Sequence, residues 1–435
     1  MARTENRGGG VLGPAYRKLW TAATISTLGD GVREAALPLL AASLTRSPGL
    51  IAFVAFAGRL PWLIFSLISG ALVDRLDRRR VMWTVDLFRA GVMAALAALV
   101  LAGVARIPLL ALVAFLLGTG ETLFDNAAQA ILPGIVRADL LETANSRLYA
   151  GEGVSNQFVG PPLGSFLFVA LAALPFFLDA TSFAAAALLV MSIGGVFRAE
   201  RPSGGQRTGI RQDIGEGVRW LWRHRLLRTL AIMLGTLNLV EGAFFAILVL
   251  FTLEILHVRE TGYGLLLSAA AAGALVGSLV TTKVASRLGR GTVLLTSVAM
   301  VGASALVMGA TSDPFVAAAM LAVSSGFGVA WNVVTVSLRQ TIVPAPMLGR
   351  VNSVYRFLGW GSMPIGAALG GFVAERFGLR APFYLAGVVE LLMFVAALPF
   401  VNDRTVEAAR AAAGSGARDD PQSMPPPADP AQPPG

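Results

Sequence analysis

Apolar residues run through this sequence in long blocks, and short polar segments rich in arginine separate the blocks. A block of about 20 mainly apolar residues is long enough to cross a bilayer as one α-helix. Such blocks lie at residues 17–43, 49–74, 80–104, 107–131, 144–169, 172–197, 228–254, 262–284, 290–311, 314–338, 351–373 and 382–402. The pattern therefore predicts an all-α polytopic membrane protein with about twelve transmembrane helices.

A polar break after the sixth block divides the predicted helices into two groups of six. Within the break, the spacing of apolar residues from Ile210 to Trp222 indicates an amphipathic helix on the membrane surface. The end of the chain is rich in Pro, Ala, Gly and Asp, which is typical of disorder. We expect a disordered start at 1–14, a six-helix bundle at 15–197, a cytoplasmic linker at 198–227, a second six-helix bundle at 228–402 and a disordered tail at 403–435.

The composition is that of a chain that faces lipid. Of its 435 residues, 55% are hydrophobic and 14% are charged, whereas a soluble domain has about 25% charged residues. The absence of cysteine and the presence of only two histidines exclude disulfides and argue against a metal site. No phosphate-binding glycine loop and no catalytic triad occurs, so we predict neither an enzyme nor a cofactor. The net charge of +9 does not indicate nucleic-acid binding, because the basic residues form no continuous face.

Most basic loop residues fall on one side of the predicted bundle. With the N-terminus inside, the outer loops hold only Arg46, Arg106, Arg259, Arg376 and Arg380. Cytoplasmic loops of membrane proteins carry the excess of Lys and Arg. We therefore expect a multi-pass protein of the cell (plasma or inner) membrane with both termini in the cytoplasm.

The loop between the second and third predicted helices carries a family motif. It reads Gly70-Ala71-Leu72-Val73-Asp74-Arg75-Leu76-Asp77-Arg78-Arg79-Arg80. This resembles the signature loop of the major facilitator superfamily, with Asp77 where glycine is usual. A degraded second copy, Ser286-Arg287-Leu288-Gly289-Arg290, lies between the eighth and ninth helices. The resemblance covers about residues 15 to 402 and implies the major facilitator fold, in which twelve helices form two six-helix pseudo-repeats.

Small residues recur at corresponding places in the two halves. The fifth helix contains Gly160-Pro161-Pro162-Leu163-Gly164, and the eleventh contains Gly366-Ala367-Ala368-Leu369-Gly370. Glycines four residues apart let two helices approach closely, so Gly160, Pro161, Gly164, Gly366 and Gly370 are predicted helix-packing residues. The helix-five motif, Gly29-Asp30 and Asn352-Ser353 resemble the drug-efflux and siderophore-exporter branch of the superfamily.

The signature loop also has a physical interpretation. Asp74 at a helix end can cap a neighbouring helix or pair with an arginine, and such a contact would hold one conformation and break in the other. We therefore predict a conformational latch made of Gly70, Asp74, Arg75, Arg78 and Arg79. The alternative is that the arginines only set the membrane orientation.

Polar residues interrupt four predicted helices at membrane depth, where charges are costly and face a cavity or a partner. The resemblance to the superfamily implies that helices one, four, seven and ten line the central cavity. These polar residues lie on the same four helices. Desolvation favours the neutral form of a buried carboxylate, which makes Asp30, Glu34, Glu121 and Asp125 the proton-coupling candidates. The substrate-cavity candidates are Arg33, Asn126, Gln129, Asn238, Glu241, Asn332 and Thr335. The alternative for Asp30 and Glu34 is a purely structural ion pair with Arg33, and Asp86 with Arg89 is expected to form a local or interhelical pair.

These features predict a monomeric secondary transporter that exports lipophilic or amphipathic molecules such as drugs, antibiotics or siderophores. Its expected partners are the small-molecule substrate, protons and membrane lipids. The exporter direction and the proton antiport depend on the branch resemblance. A proton symporter that imports a polar solute is one alternative, and a lipid flippase or a non-transporting membrane sensor is another. A channel is disfavoured because no filter-like repeat occurs.

Overall fold

The computed structural model describes residues 12–73, 76–195, 197 and 210–416. All regular elements in these ranges are helices. The α-helices are α1 Pro14–Leu44, α2 Pro48–Val73, α3 Arg78–Leu101, α4 Ile107–Ile135, α5 Leu141–Glu152, α6 Gly160–Ala170, α7 Leu174–Met191, α8 Ile210–Arg223, α9 Arg225–Leu250, α10 Glu260–Leu288, α11 Arg290–Ala310, α12 Pro314–Ile342, α13 Ala345–Phe377, α14 Ala381–Ala397 and α15 Asp403–Gly416. Two π-helical segments, Gly153–Val159 and Phe251–Ile255, continue α5 into α6 and extend α9.

The helices correspond to the twelve predicted spans. Within the described ranges, nine helices are long and apolar enough to cross a membrane. The other three predicted spans do not meet this requirement of length and apolar composition, each for a different reason. Three charged residues lie in the middle of α1, the fifth span is divided by its π-helical segment, and α14 has only 17 residues. The chain is thus a helical membrane protein, as the hydropathy pattern predicts.

The π-helical segment of the fifth span is stabilised by a contact with the second half of the chain. Pro162 has no N–H to donate to the carbonyl of Phe158. The hydroxyl of Ser268 on α10 donates to this carbonyl instead, at 2.9 Å. Pro162 thus leaves the Phe158 carbonyl free within its own helix, and this carbonyl accepts the hydrogen bond that joins α10 to the fifth span.

Corresponding glycines pack the fifth and eleventh spans against α1 and α9. A Cβ at Gly164 would overlap the carbonyl oxygen of Val32 on α1, and one at Gly370 would overlap that of Ala243 on α9. A Cβ at Gly160 or at Gly366 would also overlap backbone atoms of α1 or α9, respectively. Pro161 lies against Gly264 of α10. The glycines thus lie where two backbones meet, in equivalent places of the two halves.

The two ends of the bundle differ in how the halves meet. We name them by their loops: the arginine-poor end holds loops 45–47, 102–106, 171–173, 256–259, 311–313 and 378–380, and the arginine-rich end holds the others. At the arginine-poor end, a Glu375 carboxylate oxygen accepts hydrogen bonds from the Ser47 hydroxyl and the Gly49 N–H, both at 2.9 Å. Deeper in the bundle, Trp62 of α2 stacks on Trp360 of α13 with ring centroids 5.2 Å apart. Among the described residues, the polar and aromatic contacts between the halves lie in the middle and at the arginine-poor end.

The tail prediction is wrong for residues 403–416, which form α15. Asp403 accepts hydrogen bonds from the Gly291 N–H at 2.7 Å and from the Thr292 hydroxyl at 2.6 Å. It thereby caps the N-terminus of α11, a position that favours a carboxylate. Val406 of α15 is fully buried. The composition of the tail indicates disorder, because composition does not show a contact with a distant helix such as this cap. At the other end, Leu12 is also buried, within the segment expected to be disordered.

The predicted amphipathic helix forms as α8 but packs on protein. Glu216 pairs with Arg350 of α13, and Leu221 is fully buried. The helix is therefore docked on the bundle at the arginine-rich end, and its position on the membrane surface stays a prediction. Residues 198–209 of the predicted linker lie outside the described residues.

His224, between α8 and α9, caps α9 through a neutral ring nitrogen. Its Nδ1 accepts from the Leu227 N–H at 3.3 Å, and burial lowers the pKa of its imidazole. Since the folded protein disfavours the proton, this cap stabilises the protein fully above the unfolded pKa of about 6.5 and is lost as pH falls below it. We expect the thermal unfolding midpoint of the purified protein to fall between pH 7.5 and 5.5, and to fall less in a His224→Asn variant, whose amide caps without titrating. Equal pH profiles for the two proteins would contradict this role.

Candidate functional site

A buried ion-pair cluster occupies the interior of the first half. Arg33 of α1 lies between two carboxylates, with its Nη2 2.6 Å from Asp30 and its Nε 3.3 Å from Asp179 of α7. Asp179 is fully buried and Asp30 is 17% exposed. Gly29 makes this approach possible, because a Cβ at that position would collide with the side chains of Asp179 and Ser182.

A second arginine extends the cluster to α3. Arg89 is almost fully buried, and its guanidinium nitrogens lie 3.9 Å from Asp30 and 3.9 Å from Asp86. The guanidinium also lies over the Phe183 ring, 4.6 Å from its centroid. The predicted Asp86–Arg89 pair is thus local, within α3, and Arg89 also makes an interhelical contact with Asp30 of α1. We call Asp30, Arg33, Asp86, Arg89 and Asp179 the aspartate–arginine cluster.

The charges of this cluster do not balance. Three carboxylates face two guanidiniums, so full ionisation leaves one excess negative charge. Both oxygens of Asp86 and one oxygen of Asp179 are buried without a hydrogen bond from any described residue. An uncompensated charge in a low-dielectric interior is costly, and one proton in the cluster would neutralise it. Asp30 is the most exposed of the three carboxylates.

Glu34 belongs to a separate pair between α1 and α2. Its carboxylate lies 3.7 Å from Arg59, and both side chains are well exposed. The Arg59 guanidinium lies 5.9 Å from the centroid of the Trp360 ring. Glu34 therefore pairs with an arginine of the next helix rather than with Arg33, and this pair connects α1 to the interface between the halves.

The candidates on α4 have different surroundings. Glu121 and Asp125 lie one turn apart and are partly buried, and Gln129 is exposed. Asn126 is engaged in structure, since its amide donates to the Ser69 hydroxyl at 2.9 Å and to the Thr122 carbonyl at 2.7 Å. The two acids remain candidates for protonation, and Asn126 joins α4 to α2.

The candidates of the second half surround a cavity of about 340 Å³. Asn238 and Glu241 on α9 and Asn332 on α12 line it, and Glu241 and Asn332 are exposed. Thr335 is only 2% exposed and lies in the core of the bundle instead. We call this space the C-terminal cavity.

The signature loop is described in part. Asp74 and Arg75 lie outside the described residues, as does the environment of Gly70 within α2. Arg78 donates to the Ala130 carbonyl of α4 at 2.8 Å, and Arg79 donates to the carbonyls of Val190 and Met191 near the end of α7. Asp77 caps α3 by accepting from the Arg79 N–H at 3.1 Å, which explains a carboxylate where glycine is usual. The two arginines thus compensate the partial negative charge near two helix C-termini.

Three residues outside the predicted set belong to these sites. Asp179 completes the aspartate–arginine cluster, Arg59 pairs with Glu34, and Glu390 of α14 lines the C-terminal cavity. The sequence contains an indication of each of these residues, because a charged residue within an apolar span is by itself a candidate for a functional site. The proton-coupling and cavity candidates lie on the first, fourth, seventh and tenth spans, whereas these three residues lie on the second, sixth and twelfth.

The helix arrangement, the charged interior and the cavity are those of a multi-pass membrane transporter. The family model described as "Transmembrane secretion effector" matches residues 12–423. The chain therefore belongs to this family of major facilitator superfamily transporters, as the sequence motifs predict, and it is not an enzyme.

Two curated relatives are efflux proteins. The multidrug efflux pump Tap of Mycolicibacterium fortuitum is 31% identical over 405 residues, which cover 89% of this chain and 95% of Tap. Macrolide efflux protein A of Streptococcus pyogenes is 22% identical over 402 residues, which cover 89% of this chain and 96% of that protein.

A solved structure matches the fold in two conformations. A bacterial homologue of the iron transporter ferroportin, 18% identical, superposes in its inward-facing state with a TM-score of 0.67, covering 88% of this chain and 98% of that chain. Its outward-facing state gives 0.59, covering 89% and 99%. Both states therefore show the same fold as the present chain.

Proposed function

We propose that this protein is a proton-coupled exporter of lipophilic or amphipathic drugs that works by alternating access. The observation that carries the proposal is the excess carboxylate of the aspartate–arginine cluster, which reaches solvent through Asp30. The similarity to the efflux pump Tap supports the export direction and the drug-like substrate.

The charge balance of the aspartate–arginine cluster supports proton coupling. One proton neutralises the three carboxylates and two guanidiniums, and its release leaves a buried negative charge. The two protonation states therefore differ in the free energy of the buried cluster. A conformational change that alters the exposure of Asp30 would then couple proton release to substrate movement.

The substrate class follows from the surroundings of the central interface. The exposed carboxylate of Glu241 and the exposed ring of Trp360 offer a negative charge and a flat aromatic surface in this region. Cations with a lipophilic body interact favourably with both. We therefore expect lipophilic cations, and macrolides that carry an amine, among the substrates.

The arrangement of the halves supports an orientation. The halves meet at the arginine-poor end, as expected for the extracellular end in an inward-facing state, and arginine-rich loops favour the cytoplasm. We infer that the protein is a monomer of the plasma or inner membrane with both termini in the cytoplasm. In this orientation Arg78 and Arg79, the described arginines of the predicted latch, lie at the cytoplasmic end.

Proton-coupled export is tested in inverted membrane vesicles energised to pump protons inward, with an internal pH dye. Lipophilic cations and macrolides are added to vesicles with the wild-type protein, the Asp30→Asn variant, or an Asp139→Asn control, whose carboxylate pairs with Arg137 in an exposed loop. We expect at least one compound to release protons in the wild type and control, and about tenfold less release or none with Asp30→Asn, because that variant has no excess carboxylate. If no compound releases protons from wild-type vesicles, the exporter proposal fails. If Asp30→Asn equals the wild type, the coupling residue lies elsewhere.

A further inference from the structure

The C-terminal cavity contains a buried carboxylate that the proposed transport mechanism does not use. Glu390 on α14 is 3% exposed and lines this cavity. Its Oε2 atom is buried and accepts no hydrogen bond within the described part of the chain. A buried carboxylate without a partner carries a desolvation cost that a bound donor or cation would offset.

Further unpaired polar atoms lie in the same wall. The hydroxyls of Ser297 and Ser304 on α11 and the indole N–H of Trp331 on α12 are buried and lack a hydrogen bond to any described residue. All three residues line the cavity. Buried polar groups in folded proteins are almost always paired, so four unpaired groups around one space indicate that its occupant supplies the partners.

The remaining surface of the cavity is apolar. Phe244 of α9, Val301 and Met308 of α11 and Leu321 of α12 contribute to it. The volume of about 340 Å³ lies within the range of drug-sized ligand sites, which are mainly apolar with a few convergent polar groups. Water molecules would supply hydrogen bonds to the polar atoms but would not interact favourably with the apolar side chains of the cavity.

We propose that the C-terminal cavity is a binding site for a lipophilic ammonium compound, whose N–H groups donate to Glu390 and to Ser297 or Ser304. The aromatic or alkyl body of the compound packs against the Phe244 side of the cavity. Glu241, which is exposed and lines the same cavity, attracts the cation from the space between the halves. This inference deepens the proposed function, because it names an ammonium as the group that the exporter recognises.

Binding is measured on the purified full-length protein in phosphatidylcholine nanodiscs. The probe is a radiolabelled lipophilic primary amine with a photoreactive aryl group, and its neutral amide is the paired control compound. We expect saturable binding of the amine, about tenfold or more weaker binding of the amide, and a similar loss in Glu390→Gln, since a charge-assisted hydrogen bond is lost in both cases. Glu407→Gln, which changes an exposed acid on α15, should bind as the wild type does.

Photolabelling of the wild type locates the probe without a variant, so the test survives if Glu390→Gln fails to fold. Label on peptides of α9, α11, α12 or α14 supports the site. Label confined to the first half, equal affinity of Glu390→Gln and wild type, or no saturable binding would each overturn it. The proton-release measurement above separates the two proposals: if the amine still releases protons in wild-type vesicles while the site fails, export stands and recognition occurs elsewhere.

Discussion

A cross-link between positions 47 and 375 is expected to abolish transport completely and reversibly. Ser47 precedes α2, Glu375 lies near the end of α13, and their side-chain oxygens are 2.9 Å apart at the arginine-poor end. Alternating access requires this end to open so that substrate can leave on the far side. A covalent bond between the halves at this point would hold the protein in the conformation described here.

The chain is well suited to this experiment because it contains no cysteine. In a Ser47→Cys/Glu375→Cys variant, the two introduced thiols are the only ones, and a short bis-methanethiosulfonate cross-linker, which attaches to each thiol through a reducible disulfide, spans the remaining gap. Drug-driven proton release should disappear after cross-linking and return when the bond is reduced. The single-cysteine variants treated in the same way serve as controls for the loss of the Glu375 hydrogen bonds. Transport by fully cross-linked protein would show that this end does not open during the cycle.

The sequence predicts the spans well because the bilayer imposes a length and an apolar composition on each helix. The predicted start at 49 and the observed start of α2 at Pro48 differ by one residue. Prolines contribute to this agreement, since α2, α4 and α12 each have one in the first turn, where the absent N–H costs nothing.

The contacts between charged residues could be predicted only in part. Spacing along α1 places Asp30 one turn from Arg33, and this pair forms. Asp179 is 146 residues from Arg33, and their contact depends on how α1 and α7 rotate and pack, which no local pattern encodes. The same reason explains why Glu34 pairs with Arg59 rather than with its neighbour on α1.

The prediction of disorder for the tail is wrong at residues 403–416 for a different reason. Its composition is that of a disordered segment, and residues 417–435 lie outside the described part of the chain. One carboxylate, Asp403, makes the difference for α15, because it meets the free N–H groups of α11. In the first half, Asp77 caps the corresponding helix α3 from within its own loop. The second half has Gly289 before α11, so its cap comes from a residue more than a hundred positions away.

Removing Arg33 is expected to have the largest effect on folding of any single change in the aspartate–arginine cluster. An Arg33→Met variant leaves one guanidinium for three buried carboxylates and raises the excess negative charge from one to two. Breaking a buried pair by deleting one partner costs about 3–5 kcal/mol. We therefore expect a large fall in the thermal unfolding midpoint and in the amount of folded protein recovered from membranes.

A second substitution should recover most of this loss. In Arg33→Met/Asp179→Asn, the excess returns to one, because the guanidinium and one of its carboxylate partners are removed together. The coupling free energy from the double-mutant cycle should then be about 2 kcal/mol or more and stabilising. Additive effects of the two substitutions would mean that Arg33 and Asp179 do not act as a pair.

The single variant Asp179→Asn separates stability from coupling. It leaves two carboxylates and two guanidiniums, so the cluster is neutral without a bound proton and should fold nearly as well as the wild type. With no excess carboxylate, the variant should bind drug but release about tenfold fewer protons than the wild type in inverted vesicles. A folded Asp179→Asn protein with normal proton release would show that the charge imbalance of the cluster does not drive transport, even if the ion pairs stabilise the first half.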